Sequence, residues 1–219
     1  MAMDRRPYDR LWERKLGDPG WLSCDGAGRV QYAADVLGNL GLLSSPRILD
    51  VGCGRGAAGI RMGRGKGMYG VEISRLAARE AAGRYEVVVL ADAGSDYLPF
   101  RDRSFDLCLM LDIIEHIPDP RHSLSEARRV LENEGRLLIC TPNILCWRHI
   151  RSLVTTRRFP KTSSDPDLYD GGHIHFFTYR DVTDLLRSAS FRTVDDIGPM
   201  ANSALREFRE PLVWILARK

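Results

Sequence analysis

The chain has 219 residues, enough for one α/β domain and too few for two of full size. With 44% hydrophobic and 28% charged residues, 20 glycines and 11 prolines, it is not disordered, collagen-like or of low complexity. The 32 Lys and Arg against 29 Asp and Glu leave a net charge of +3, which argues against a dedicated nucleic-acid binder. Apolar runs such as Val87–Ala91 fall far below bilayer-spanning length, so no transmembrane segment is expected. Met1 to Tyr8 is charged with no apolar stretch behind it, and no signal peptide is expected. The five Cys (24, 53, 108, 140 and 146) form no C-x-x-C pair, so reduced thiols in a cytoplasmic protein are the simplest reading.

No repeat or linker breaks the chain, so the sequence reads as one domain over 1–219. An N-terminal helical cap (about 1–45) carries Tyr8, Trp12 and Trp21, then Val30, Ala33, Ala34, Leu37 and Leu40 on one helix face, stopped by Ser44-Ser45-Pro46. Strands are predicted at Arg47–Val51, Met68–Glu72 and Glu86–Leu90, the last of them buried, with a short helix after a glycine-dense turn and another over Leu76–Ala82. Further on, Phe105–Leu111 is strand-like, and Leu124, Ala127, Val130 and Leu131 mark an amphipathic helix ended by Gly135. A strand over Arg136–Cys140, a helix through Val182–Ala189 capped by Thr178, and strands at Phe191–Val194 and Pro211–Leu216 complete the order. Such alternation predicts βαβ units in a mostly parallel sheet, with ligands bound at the carboxyl ends of its strands.

The first strand runs into Asp50-Val51-Gly52-Cys53-Gly54-Arg55-Gly56, where alternate glycines allow a tight turn and close backbone approach to a ligand. Alone this is a weak signal, and Gly52, Gly54 and Ala57 also satisfy the dinucleotide fingerprint G-x-G-x-x-A, which keeps an NAD-dependent dehydrogenase in view. Glu72 ends the second strand, where a carboxylate can accept two ribose hydroxyls, and Asp92 follows the third, within reach of an adenine amino group. With Asp50 these acids form an ordered series along one sheet edge.

The stretches I-L-D-V-G-C-G-R-G (48–56), Y-G-V-E-I-S (69–74), D-A-G-S-D-Y-L-P-F-R-D-R-S-F-D (92–106), L-D-I-I-E-H-I-P-D-P (111–120) and L-L-I-C-T-P-N (137–143) together resemble class I S-adenosylmethionine-dependent methyltransferases, in a branch like the MetW and quinone O-methyltransferase groups. The likeness covers about residues 25–195. It implies a Rossmann-like, mostly parallel seven-stranded sheet with helices on both faces and the last strand antiparallel. It also implies S-adenosyl-L-methionine as cofactor and S-adenosyl-L-homocysteine as product. By the same resemblance Asp50, Gly52, Gly54 and Gly56 hold the methionine moiety and Glu72 the ribose. Asp92 with Ala93 faces the adenine, and Leu111 and Asp112 line the cofactor. The glycines at 59, 63, 65 and 67 depart from the pattern and predict a short helix after the turn.

The expected reaction is methyl transfer to a small-molecule acceptor, at oxygen before nitrogen. The alternatives are an accessory S-adenosylmethionine-binding protein acting through a partner and, behind it, an RNA methyltransferase, which the near-neutral charge disfavours. His173, approached through Gly171-Gly172, is the expected general base and His116 its support, since imidazole titrates near neutrality. Asp112, Glu115, His116 and His173 could also hold a divalent cation, although none is expected. An acceptor-side insertion (about 144–176) opens with a basic run. From Gly135 to Ser164 there is no acid, while Arg136, Arg148, Arg151, Arg157, Arg158 and Lys161 interleave with Trp147, Ile150, Leu153 and Val154. That stretch is either a solvated helix face or a surface for an anionic acceptor or a membrane. Thiol-based arsenic methylation finds no clustered Cys pair to support it.

Overall fold

The computed structural model describes residues 6–16, 27–44, 47–62, 66–163 and 169–219. Helices α1 (Arg6–Leu16) and α2 (Ala27–Asn39) precede the sheet. There follow β1 (Ile48–Val51), α3 (Ala57–Arg61), β2 (Met68–Glu72), α4 (Arg75–Ala81), β3 (Val87–Leu90) and β4 (Phe105–Leu111). The rest comprises α5 (Pro120–Val130), β5 (Leu131–Pro142), α6 (Trp147–Arg151), α7 (Tyr179–Ser188), β6 (Thr193–Asp196), α8 (Arg206–Arg209) and β7 (Leu212–Arg218).

The seven strands form one sheet in the order β3-β2-β1-β4-β5-β7-β6, with β7 antiparallel to both β5 and β6. This is the Rossmann-like, mostly parallel architecture that the resemblance implies. Period-two alternation divides the core between the two faces. Leu49, Val51, Cys108, Met110, Leu137 and Ile139 pack with Leu124, Ala127 and Val130 of α5 and Val182 and Leu186 of α7. Ile48, Leu107, Leu109, Leu138 and Cys140 pack instead with Val30, Ala33, Ala34 and Leu37 of α2. The order change between β1 and its two neighbours, β2 and β4, sets the crevice at the carboxyl edge where ligands bind in such sheets.

Three local expectations change. Leu40 lies beyond the end of α2 and is 50% exposed, because the chain turns at Gly41 in a left-handed conformation (φ 68°); Ser45 and Pro46 lie outside the described residues. Helix α5 stops at Val130 and β5 begins at Leu131, with Gly135 inside the strand; a register shift against β4 accommodates the extra residues. Strand β3 is an edge strand with Val87 43% exposed, since among the described residues only β2 pairs with it. Helix α3 is short, as its glycines suggest. Cys53, Cys108, Cys140 and Cys146 are free and buried, and Cys24 lies outside the described residues. Among those residues no helix is long and apolar enough to cross a membrane.

Candidate active site

The glycine turn leaves β1 and is tied at once to β2: the amides of Gly52 and Cys53 both donate to the Val71 carbonyl, at 2.8 and 3.0 Å. Gly52 has φ 73°, and a Cβ there would lie 2.6 Å from Ile113 Cδ1, so both backbone and space demand glycine. Gly54 and Gly56 also have positive φ, 51° and 87°. The Gly54 amide donates to Glu72 Oε2 at 2.9 Å, while Glu72 Oε1 accepts the Ser74 amide at 2.8 Å. Burial raises the Glu72 pKa, and these backbone donors partly offset the rise. Asp50 is buried and accepts the Tyr85 hydroxyl at 2.6 Å; burial pushes its pKa up to about 7 despite that bond. Asp92 is buried too, accepting the Gly94 amide at 2.8 Å and the Ser95 hydroxyl, with Ala93 half-buried beside it.

Helix α1 roofs this edge. Asp9 accepts the Ser74 hydroxyl and the Arg75 amide, each at 2.8 Å, and so caps α4 from a distant part of the chain. The Trp12 indole lies 3.2 Å from where a Gly54 Cβ would stand. The Tyr8 phenol is raised in pKa by burial and then by the nearby charges of Asp92 and Glu72.

Across β4 the chain builds a second cluster. Asp112, just past half-buried Leu111, takes a left-handed conformation (φ 53°), its amide donating to Cys140 and its carboxylate pairing with Arg29 of α2. A 3-10 turn, Ile114–His116, follows. Glu115 is buried; Oε2 accepts the Thr141 hydroxyl at 2.9 Å and Oε1 has no hydrogen-bond partner among the described residues. Burial, then the Asp112 charge, pushes its pKa up to about 8. The amides of Ile174 and His175 donate to the Glu115 carbonyl at 3.0 and 3.1 Å, which carries the His173 segment to this turn. The His116 and His173 rings meet edge to face with centroids 4.7 Å apart, and His116 Nδ1 lies 3.2 Å from the Gly172 carbonyl.

The hydrogen bonds around His173 assign its tautomer. Thr162 Oγ1 donates to Asp170 Oδ2 at 2.8 Å, so at 2.7 Å from His173 Nδ1 it can only accept, and Nδ1 carries the proton. Nε2 is left with a lone pair, 3.9 Å from Glu115 Oε1. Desolvation, followed by repulsion from His116, lowers the His173 pKa to about 4. His175 is held apart, with Nε2 3.0 Å from the Ile117 carbonyl and its ring stacked on Phe177.

Glu115, His116 and His173 offer ligand atoms within 4.8 Å of one another, whereas Asp112 of the sequence-derived cation set is engaged by Arg29. Sequence reasoning missed Arg29, Asp9, Thr162 and Asp170 as parts of the site. Each acts through a contact distant in sequence or local to an irregular loop, with no spacing signal to mark it.

A family model described as methionine biosynthesis protein MetW matches residues 39–215. The 27-O-demethylrifamycin SV methyltransferase of Amycolatopsis mediterranei (strain S699) is 33% identical over 144 residues, 60% of this chain and 52% of that protein. The demethylmenaquinone methyltransferase of Tropheryma whipplei (strain Twist) is 35% identical over 105 residues, 46% of this chain and 44% of that one. The chain thus spans about half the length of these curated relatives. A crystal structure of an S-adenosylmethionine-dependent methyltransferase, possible histamine N-methyltransferase, from Thermotoga maritima superposes with a TM-score of 0.61 at 24% identity, covering 88% of this chain and 91% of the other; this is a likeness of fold. The family match over most of its length identifies the chain as a member of the methionine biosynthesis protein MetW family, within the class I S-adenosylmethionine-dependent methyltransferase superfamily.

Proposed function

We propose that the protein transfers a methyl group from S-adenosyl-L-methionine to a small-molecule acceptor, at an oxygen atom. The bound cofactor would supply an electrophilic methyl group on a sulfonium. The residues fit it by donor set: ribose hydroxyls and an adenine amino group donate hydrogen bonds, and carboxylates such as Glu72 and Asp92 only accept them. Glu72 accepts backbone amides at both oxygens, and the carboxylate's roughly four lone-pair sites leave it further accepting capacity. The Gly52–Gly56 turn and Asp50 would hold the methionine end, with Leu111 and Asp112 along its other side, as the family resemblance implies.

The observation that carries the oxygen reading is the lone pair at His173 Nε2, with its tautomer set by Thr162 and Asp170. In this reading His173 accepts the proton of an acceptor hydroxyl, and His116 packs against its ring. Asp170, completely buried, would stabilise the resulting imidazolium through Thr162. With its pKa lowered to about 4, His173 is neutral and able to accept at neutral pH, but it is a weaker base than a free imidazole. Its share therefore lies at the low end of roughly 10²–10⁴-fold, and positioning of the acceptor supplies the rest. The test combines labelled S-adenosylmethionine with a metabolite extract and follows label into a small product. His173→Ala should lower kcat and keep S-adenosylhomocysteine affinity within a few-fold. Cofactor binding with no product from any extract would favour the accessory-protein alternative.

The grouping of Glu115, His116 and His173 favours one second reading, a divalent cation that orients the acceptor. Activity lost to EDTA and restored by Mg²⁺ or Mn²⁺ would select it.

A further inference from the structure

The insertion between β5 and α7 is closed at its base and open at its tip. Asn143 and Phe177 form a bridge, the Ile144 amide donates to the Phe177 carbonyl at 3.0 Å, and His149 Nδ1 lies 2.9 Å from the Asn143 carbonyl. From there α6 continues through a wide turn of helix, Ser152–Thr156, and reverses at Arg157 in a left-handed conformation (φ 55°). This tip carries large apolar side chains on the outside: Trp147 is 48% exposed, Leu153 43%, Val154 73% and Phe159 46%. Arg148, Arg151, Arg157 and Arg158 are exposed among them, with the Arg151 guanidinium 5.0 Å from the centre of the Trp147 ring. No Asp or Glu occurs between residues 135 and 164.

We propose that this projection docks the protein on an anionic lipid bilayer, with Trp147, Leu153 and Val154 entering the boundary between headgroups and acyl chains and the arginines pairing with lipid phosphates. Clustered aliphatic side chains left in water are costly and mark a contact surface. Trp and Arg are suited to the headgroup level, where one end of the side chain is apolar and the other wet. The all-basic flank supplies the charge complementarity, since anionic leaflets attract such segments. A nucleic acid would use the arginines and leave Leu153 and Val154 without a role, so a bilayer accounts for more of the surface. The Phe159 ring of the projection packs on Phe176 with centroids 4.8 Å apart, which ties this surface to the segment that carries His173.

Co-sedimentation of the full chain with vesicles tests the proposal and needs neither cofactor nor acceptor. Vesicles of phosphatidylcholine mixed with phosphatidylglycerol should bind the protein, pure phosphatidylcholine vesicles much less, and binding to the mixture should weaken as salt is raised from about 0.1 to 1 M. Arg148→Ala with Arg158→Ala should lower the partition coefficient by about five-fold per arginine removed. Leu153→Ser with Val154→Ser should lower it at least as far while leaving S-adenosylhomocysteine affinity and the circular dichroism spectrum unchanged. Equal binding to neutral vesicles, no binding to either kind, or double variants that bind as the parent does would each overturn it. So would capture by single-stranded RNA with no affinity for the mixed vesicles.

Discussion

Replacing Glu115 by Gln should make the protein more stable, and only above mildly acidic pH. The carboxyl is 1% exposed, has an orphan oxygen and feels the charge of Asp112, so the folded chain holds its proton to about pH 8. An ordinary Glu in the unfolded chain loses it near 4.5. Stability from this raised pKa is therefore complete below about 4.5 and is lost as pH climbs through about 8. The difference costs about 3 kcal/mol at pH 7 and about 4–5 kcal/mol above pH 9. His173 works in the opposite sense: its folded value of about 4 lies below the ordinary 6.5, so its contribution is full above 6.5 and is lost on acidification. Between about 4.5 and 6.5 these two slopes cancel. Asp50, itself raised to about 7, adds a loss of its own up to that pH, so the fall that belongs to Glu115 alone lies from about pH 7 to 8. Gln keeps an oxygen for Thr141 and removes the ionisation, so the alkaline loss should flatten. Urea unfolding at pH 5, 7 and 8.5, with the slope m compared at each, measures this. A Glu115→Gln variant that is less stable at pH 8.5, or that falls with pH as the parent does, would show that Glu115 is ionised in the fold and refute the reasoning.

Other substitutions report on separate parts of the site. Glu72→Ala removes acceptors for the Gly54 and Ser74 amides and for a ribose, and should weaken S-adenosylhomocysteine binding by about 1–3 kcal/mol in calorimetry; unchanged affinity would mean that the sheet edge is misassigned. Gly52→Ala forces a Cβ into Ile113 at positive φ, and should destabilise the fold by about 1–3 kcal/mol and cut cofactor binding; a variant with the parent's melting temperature and affinity contradicts the steric argument. Thr162→Val breaks the link from Asp170 to His173, and should lower kcat without moving S-adenosylhomocysteine affinity. Nitrogen NMR of the parent should find the His173 proton on Nδ1, and a proton on Nε2 would exclude that nitrogen as base.

What could be read from the chain alone follows from the range of the interactions. The strands at 68–72 and 105–111, the capping of α7 by Thr178 and the short α3 are set by local pattern, and they appear where the residues indicate. The proximity of His116 and His173 could be anticipated only through the family resemblance, since 57 positions separate them and one Glu115 carbonyl joins their segments. The sequence predicts a helical cap at the N-terminus but not its contact with this sheet edge: Asp9 capping α4 is one ordinary acid in a polar helix until the fold brings it there. Gly135 reads as a helix stop by composition, yet tertiary pairing of β5 with β4 from Leu131 onward overrides that local preference.

A calorimetric titration of the purified chain with S-adenosylhomocysteine, run beside one with NADH, puts the cofactor assignment to proof. The arrangement of the glycine turn, Glu72 and Asp92 predicts saturable one-to-one binding of S-adenosylhomocysteine and none of NADH. Binding of NADH alone, or of neither, would contradict it.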